Sequence, residues 1–398
     1  MSTIFDVLVV GAGPAGSATA TVLARSGHRV LLLDRARFPR DKPCGDYCNP
    51  GAAQSLRELG CYEAVLATGA APISSMRVLA HDRTGFEAPF PSGAGLLVPR
   101  RRLDACLLAH AGAQGAEILE GVQITQLHFG AGYVEACAES GRTRAVRARL
   151  LIAADGMHST IVQRLGRRQP TADGLFTVGA YFSGVRGERP QGELHLGRNL
   201  YAGIAHFGGG AANVCLALSR SSFRHQTPEQ AFEQGLRSLP TVSDALASAR
   251  RDSAYRCSGP VGFITRDVIA DRVLAVGDAA GQVDPMTGQG IALALRSGIL
   301  AAETATRALA RGDLSRSALR SDVRQRAREL AERRRVARWV HHLVFRPSLT
   351  PFLIKRLGAH PTLASQLLGA TGDVVPTNRL RIVQFLLRLS VGLDAHSA

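Results

Sequence analysis

Residues 41–50 read DKPCGDYCNP, which places two thiols four positions apart beside acids, a lysine and a phenol. Cys44 and Cys48 at that spacing raise three chemistries: half of a metal site, a disulfide, or one edge of a site whose chemistry comes from elsewhere. A metal would need two further ligands in a matching pair, and the chain offers no CxxC or CxxH partner, so no metal is expected. Seven cysteines, an odd number in no regular framework, suit a reducing compartment and disfavour a disulfide. The third reading makes Cys44 a small polarizable thiol that packs against a reacting group or serves as a weak proton donor. In the same reading Asp46 and Tyr47 either lend a carboxylate and a phenol to a substrate or cap the helix that follows. Cys48 reads as packing.

The elements that would position this loop start at the N-terminus. FDVLVV is a short β-rich run, GAGPAG follows at once, SATATVLARSG reads as a helix, and HRVLLLD is a second buried strand. This β-α-β unit carries the GxGxxG spacing at Gly11, Gly13 and Gly16, with Pro14 and Ala15 inside the turn. Gly11 permits the tight turn, Gly13 lets backbone approach a pyrophosphate at the helix N-terminus, and Gly16 lets helix and strand pack closely. Asp34, followed by Arg35, closes the second strand where a ribose diol would sit. Two later segments select the dinucleotide. Residues 150–166 give a strand and an Asp-Gly turn at Asp155. Residues 272–295 give a strand, the pair Gly277–Asp278 and a glycine-rich loop running from Pro285 through Gly288 and Gly290 to Ile291. Asp278 is placed to hold a ribityl hydroxyl, and the backbone N–H groups of residues 288–290 would face the pyrimidine edge of a flavin. The expected cofactor is FAD.

The set GAGPAG, ADGMHS and VGDAAG…TGQG resembles that of FAD-dependent oxidoreductases of the aromatic-hydroxylase fold. The resemblance spans about residues 5–310. It implies that the Asp155 turn lies near the cofactor, that the Asp278 segment contacts the ribitol, and that Arg100 is directed toward FAD, with Arg101 and Arg102 on the surface. Lys42, Pro43, Cys44 and Gly45 further resemble the loop of the geranylgeranyl-reductase branch, whose members saturate double bonds of prenyl chains and whose cysteine lies close to the flavin. That branch also carries a Tyr-x-Trp-x-Phe-Pro strand along its lipid tunnel. YAGIAHF keeps Tyr201 but has Gly203, Ala205 and His206 in the other places, leaving room for a bulkier or polycyclic substrate. Tyr201 and His206 join Cys44 and Asp46 as candidate catalytic residues, His206 as an acid or base near neutral pH, although a histidine at a strand end also reads as a surface residue.

The expected fold class is α/β: a Rossmann-like FAD-binding domain (1–72, 100–168 and 266–310) with an inserted antiparallel-sheet substrate domain (73–99 and 169–265) and a helical C-terminal region (311–398). Short alternating runs such as TVGAYFSGV and AANVCLALS make the inserted sheet, and residues 227–249 read as a helix broken near Pro240. CSGPVGF then returns toward the cofactor, with Gly262 as a close-approach point. The formal charge is +16, carried almost wholly by arginine, and residues 311–338 hold ten arginines and four acids at helical spacing. Without interleaved aromatics this reads as a solvated face, and nucleic acid is excluded as a partner. No signal peptide or membrane-spanning run is expected, which predicts a cytoplasmic protein. The apolar tail HHLVFRPSLTPFLIKRL is expected to cover the active site or touch the inner face of a membrane, and with FLLRLSV near 385 to pack chiefly on the main body.

No second GxGxxG unit appears, so electrons are expected from NADPH or NADH visiting the flavin, or from a separate donor protein. The favoured reaction is reduction of a carbon–carbon double bond in a hydrophobic small molecule. The alternatives are a monooxygenase hydroxylating or epoxidising a hydrophobic or polycyclic substrate through a peroxyflavin, a dehydrogenase, and a non-catalytic flavin-binding component of a complex. A flavin halogenase is disfavoured by the lack of a tryptophan-rich strand, Trp339 being the only tryptophan.

Overall fold

A computed structural model of the chain describes residues 4–139, 145–166, 168–169, 174–223, 225–261, 264–265, 269–282, 285–320, 331, 346 and 349–375. Its first sheet is built on the strand Ile4–Val10, which pairs in parallel with Val30–Asp34 on one side (Val7 opposite Val30) and with Ala145–Ala153 on the other (Val10 opposite Ala153). Parallel neighbours Glu117–Glu120 and Val273–Ala275 extend it outward. Strands covered on both faces need apolar residues at every position, which is why VLLLD and the end of Ala145–Ala153 are continuously buried. A hairpin, Gln123–Gly130 with Tyr133–Glu139, adds antiparallel strands to Ala145–Ala153.

The helix Pro14–Arg25 packs against this sheet and against the long helix Gly290–Arg311. Small residues set that crossing. A Cβ on Gly298 would stand 2.4 Å from the Ala15 carbonyl oxygen, and Thr19 Oγ1 donates to Ala15 O at 2.8 Å. The two helices therefore touch through backbone, and each fixes the height of the other above the sheet.

The second sheet runs Arg250–Arg251, Leu175–Ser183, Ala211–Leu218, Tyr201–Gly208, Gln191–Leu196, Ser75–Ala80, Gly85–Pro89, with Arg256–Val261 also pairing to Leu175–Ser183. All its pairs are antiparallel except Gln191–Leu196 with Ser75–Ala80. One face packs on Phe232 and Val242 from the helices Pro228–Arg237 and Pro240–Ala245. The region expected as one broken helix is thus two, the first opened by a Thr227–Gln230 capping box and the second carrying Pro240 in its first turn. The other face packs on Ile354, Leu357, Leu363 and Leu368 of the C-terminal helices Thr350–Ala359 and Pro361–Thr371. A third sheet of three short strands joins Tyr47–Cys48, Gly95–Leu97 and Ala71–Ile73, and so anchors the loop that follows Lys42. Gly262, Trp339, most of the arginine-rich stretch and FLLRLSV lie outside the described residues. No described helix is long and apolar enough to cross a membrane.

Candidate active site

One cavity of about 620 Å³ is lined both by the carboxyl ends of the parallel strands and by the inner face of the second sheet. In its polar half the glycine turn behaves as three distinct positions. Gly11 has φ +103° and its Cβ would stand 2.3 Å from Ala154 O, so no side chain fits the turn. A Cβ on Gly16 would stand 1.8 Å from Gly11 O; this glycine serves packing and does not line the cavity. Gly13 does line it, and its would-be Cβ meets only Arg40 Nη2, at 3.6 Å. Asp34 accepts from Ala12 N and Ala36 N, both at 2.8 Å, one on each carboxylate oxygen, which orients the group and leaves each oxygen a further lone pair. Arg35 lies beside it on the wall, and Pro14 and Ala15 follow at the helix start.

Asp155 also lines the cavity. Its Oδ2 accepts from Thr160 N at 2.8 Å, while its buried Oδ1 finds no hydrogen-bond partner among the described residues. Burial pushes this carboxyl above its ordinary range, against the hydrogen bonds that favour the ion. Gly277, with φ +56°, donates its N–H to Ser297 Oγ at 2.9 Å and brings Asp278 to the wall. Pro285, Gly288, Gly290 and Ile291 continue the wall, Gly288 lying against the Tyr47 ring and Gly290 facing open space.

These residues fit FAD. Bare backbone at Gly13, Gly45 and Gly290 borders space that no protein atom takes within ordinary contact, apart from Arg40 at Gly13, and an unpartnered buried acceptor sits on the same wall. The charge fits as well: Arg40, Lys42 and Arg100 meet the cavity near the N-terminus of Pro14–Arg25, where a pyrophosphate would need them. Burial and the nearby Arg100 and Arg40 cations lower the Lys42 ammonium from its usual value, Asp278 opposing them. Arg40 escapes sequence reading because it belongs to no motif; only the fold sets its guanidinium over Phe38, at 4.8 Å, and 3.1 Å from Asp104.

Arg100, expected to turn toward FAD, does line the cavity, but its fork is engaged. Nε and Nη2 each reach Asp104 at 2.8 Å, and the guanidinium charge also acts on the nearby Cys44 thiol. Arg101 and Arg102 are exposed at the same helix start. Cys44 lines the cavity, and burial raises its thiol, with Arg100 opposing. All seven cysteines are free thiols. Tyr47, like Cys44, lines the cavity, and burial holds its hydroxyl far above the usual range.

Two candidates stand elsewhere than expected. Asp46 is fully buried and absent from the cavity wall. Its Oδ1 accepts from Arg100 N at 3.0 Å, and its Oδ2 accepts from Tyr181 OH at 2.6 Å and Asn213 Nδ2 at 2.8 Å. Burial pushes its carboxyl up to about 6 against those three hydrogen bonds. His206 is neither on the surface nor on the cavity wall. Strand alternation turns it to the opposite face, where Nε2 lies 3.5 Å from Glu193, which also meets His195 at 3.0 Å. Burial alone would raise Glu193; hydrogen bonds from both histidines, and their charge, hold it far below its usual value.

The apolar half is formed by Tyr201, Gly203 and Ala205 on alternate positions of one strand, with Cys215 and Ala217 on its neighbour. A Cβ on Gly203 would find only Glu193 O, 4.0 Å away, so the wall is open at that point. Opposite stand aliphatic side chains from the C-terminal helices, among them Ile354, Leu357 and Leu368. The described part of HHLVFRPSLTPFLIKRL thus covers the site, one of the places its apolar composition allowed, whereas the helix Pro361–Thr371 escaped sequence reading, since apolar spacing alone does not say which surface a helix covers.

A glycine-lined cofactor half joined to an aliphatic half defines an FAD-dependent oxidoreductase acting on a hydrophobic substrate. Residues 5–332 match the family model described as FAD binding domain, and the chain belongs to that family. It is similar to the menaquinone reductase of Mycolicibacterium smegmatis, 32% identical over 337 residues, 77% of each chain. It is equally similar to digeranylgeranylglycerophospholipid reductase 2 of Methanopyrus kandleri, 32% identical over 331 residues, 79% of this chain and 80% of the relative. Among solved structures the flavin-dependent brominase Bmp2 shares the fold with a TM-score of 0.84 at 19% identity, covering 98% of this chain and 100% of that one.

Proposed function

We propose that this protein belongs to the geranylgeranyl-reductase-like branch of its family and saturates a carbon–carbon double bond in an elongated, largely aliphatic substrate. The observation that carries the reading is the aliphatic half of the cavity, continuous with the cofactor half and bordered by the Cys44 loop. The names of the two relatives, each a reductase, support it. FAD, when bound, supplies the two-electron reducing chemistry; Asp34, the Gly11–Ala15 turn, Arg40, Asp278 and residues 288–291 would hold it. NADPH, NADH or a separate donor protein would supply the electrons.

The chain's own part is to bind, dry and protonate. Aliphatic side chains from the second sheet and the C-terminal helices exclude water around an apolar chain. The raised thiol keeps its proton at Cys44 Sγ at neutral pH, facing the cavity, where a carbon centre needs one. Arg100 beside it stabilises the thiolate once that proton has left. The openings at Gly203 and Ala205 admit a branch or ring that a wall of large side chains would reject.

Whole-chain likeness in fold to flavin-dependent halogenases supports a second reading, in which the enzyme oxygenates or halogenates a hydrophobic substrate. One experiment separates the two. The FAD-loaded protein is reduced without oxygen and mixed with polyprenyl and polycyclic alkenes. Reoxidation of the flavin with formation of a saturated product supports reduction. Reoxidation only after oxygen is admitted, with labelled oxygen or bromide found in the product, supports the second reading and rejects the first.

A further inference from the structure

Cys44 is half-buried against the cluster around Cys48 and Leu96, but the chain just after it is loosely packed. Gly45, next in the chain, has no heavy atom within 4 Å of where its Cβ would stand. Polar contacts add to that packing, and they converge on the following residue. Asp46 has φ +55°, a left-handed conformation that costs a non-glycine residue about 1–2 kcal/mol and persists only where surroundings enforce it. Here they do. Its carboxylate takes hydrogen bonds from the start of the Arg100–Ala113 helix, from Tyr181 on one strand of the second sheet and from Asn213 on the next. Its main-chain oxygen accepts from Val98 N at 2.9 Å. The same Asn213 amide nitrogen donates its other hydrogen to Cys44 O at 2.7 Å, so one side chain clamps the thiol's own residue and Asp46 together.

From this geometry we infer that Asp46 is the positioning residue that fixes the Cys44 thiol on the cavity wall. It acts through the loop backbone and touches neither substrate nor cofactor. Arg100 is tied into the same arrangement: its main-chain N–H goes to Asp46, and its side chain is held by Asp104. Without the Asp46 carboxylate, three donors lose their acceptor in a buried setting, and the polar contacts that remain on residues 44–46 are main-chain ones, Asn213 Nδ2 to Cys44 O and Val98 N to Asp46 O among them. Around the carboxylate stand the Arg100 cation, the Cys44 thiol and the Tyr181 phenol, with Arg256 over the Tyr181 ring at 6.0 Å. The catalytic use of the thiol rests on the proposed reductase reading; its placement by Asp46 does not.

The test reads the thiol directly, in FAD-loaded protein and without substrate. Cys44 alkylation by iodoacetamide is followed by peptide mass spectrometry, with the exposed Cys257 as internal reference. Asp46→Gly keeps the backbone conformation and removes every side-chain hydrogen bond; it is expected to raise the Cys44-to-Cys257 labelling ratio about tenfold, the scale of one lost charge-assisted hydrogen bond. Tyr181→Phe keeps the carboxylate and its charge while removing one donor, and is expected to raise the ratio by about threefold. Asp46→Asn keeps the shape and is expected to stay below Asp46→Gly. An unchanged ratio in FAD-loaded Asp46→Gly overturns the inference. So does equal acceleration in Asp46→Asn and Asp46→Gly, because the carboxylate would then act only on the ionisation of the thiol. Should Asp46→Gly fail to fold, the Tyr181→Phe ratio decides: a rise supports the assignment and no rise rejects it. A protein that oxygenates its substrate would leave all these ratios as expected, so failure of the reductase reading is read separately.

Discussion

Adding one methyl group at Gly16 or at Gly13 should damage the protein in two different ways. At Gly16 the new Cβ would stand 1.8 Å from Gly11 O and 3.1 Å from the Ala154 Cβ. Real Cβ atoms essentially never approach closer than 3.0 Å, so helix and turn must separate by about 1.2 Å. Neither partner is a flexible side-chain tip, and the helix cannot simply lift away. On its other side Gly298 already lies against the Ala15 carbonyl, with room for no Cβ. The expected cost is at or above the upper end of the about 1–3 kcal/mol typical of overpacked cores. At Gly13 the backbone has φ −73°, which any residue adopts, and the methyl meets only the end of the Arg40 side chain at 3.6 Å. Gly13→Ala should therefore change the stability of the FAD-free protein by less than about 0.5 kcal/mol, as ordinary surface substitutions do. Its methyl group, however, occupies the face where cofactor backbone must approach, and FAD affinity should fall by about tenfold or more. Thermal unfolding with and without FAD, together with flavin-to-protein absorbance ratios, separates the two effects. A Gly16→Ala protein that melts and stays yellow like the parent, or a Gly13→Ala protein destabilised without FAD as severely as Gly16→Ala, would refute this division of labour.

Asp46 should give a pH signature of the sign opposite to an ordinary ion-paired carboxylate. Its folded pKa, about 6, lies above the ordinary 3.8, so the folded state binds the proton more tightly. Stability is therefore lost as pH rises from about 4 through 6, by about 2–3 kcal/mol once both states are ionised. Relative to wild type, Asp46→Asn should become more stable between pH 4.5 and 7.5 in urea unfolding; a difference that does not move with pH contradicts the assignment. Asp373 accepts from Asn49 Nδ2 at 3.0 Å and Gln289 Nε2 at 2.8 Å, both on residues with no exposed surface. Asn49 Nδ2 also donates to Thr371 O at 3.0 Å, so Asp373→Ala takes from the Gln289 amide its Asp373 acceptor and should cost about 1–3 kcal/mol and speed proteolysis within residues 349–375; an unchanged cleavage rate would show that the Asp373 contacts are dispensable. Gly203→Leu should narrow the apolar half of the cavity, raising KM for ring-bearing substrates above that for straight chains while FAD occupancy holds; equal KM changes for both would place the substrate elsewhere.

Much of the cofactor half was legible in the chain because its determinants are local. A strand, a turn that only glycine can make and a helix start lie within 34 residues, and each constrains the next through backbone geometry. The Asp155 and Gly277–Asp278 turns announce themselves in the same manner, as acids where a buried apolar strand stops. Substrate-side residues were less legible. Tyr201 reaches the wall as its alternation implies, but the same alternation carries His206 to the far face, and sequence cannot say which face of a two-sided sheet the cavity occupies. Asp46 was visible as a carboxylate beside a thiol, yet its partners Tyr181 and Asn213 lie 135 and 167 positions away, and Asp373 is 324 positions from Asn49. Alone, then, the sequence determined what its neighbours along the chain enforce: the β-α-β frame, the glycine turn, and FAD as the group that fits them. Only the tertiary structure decided which polar groups meet a ligand and which meet each other, since burial and hydrogen bonding between distant segments are set when the two sheets and the C-terminal helices close around one cavity.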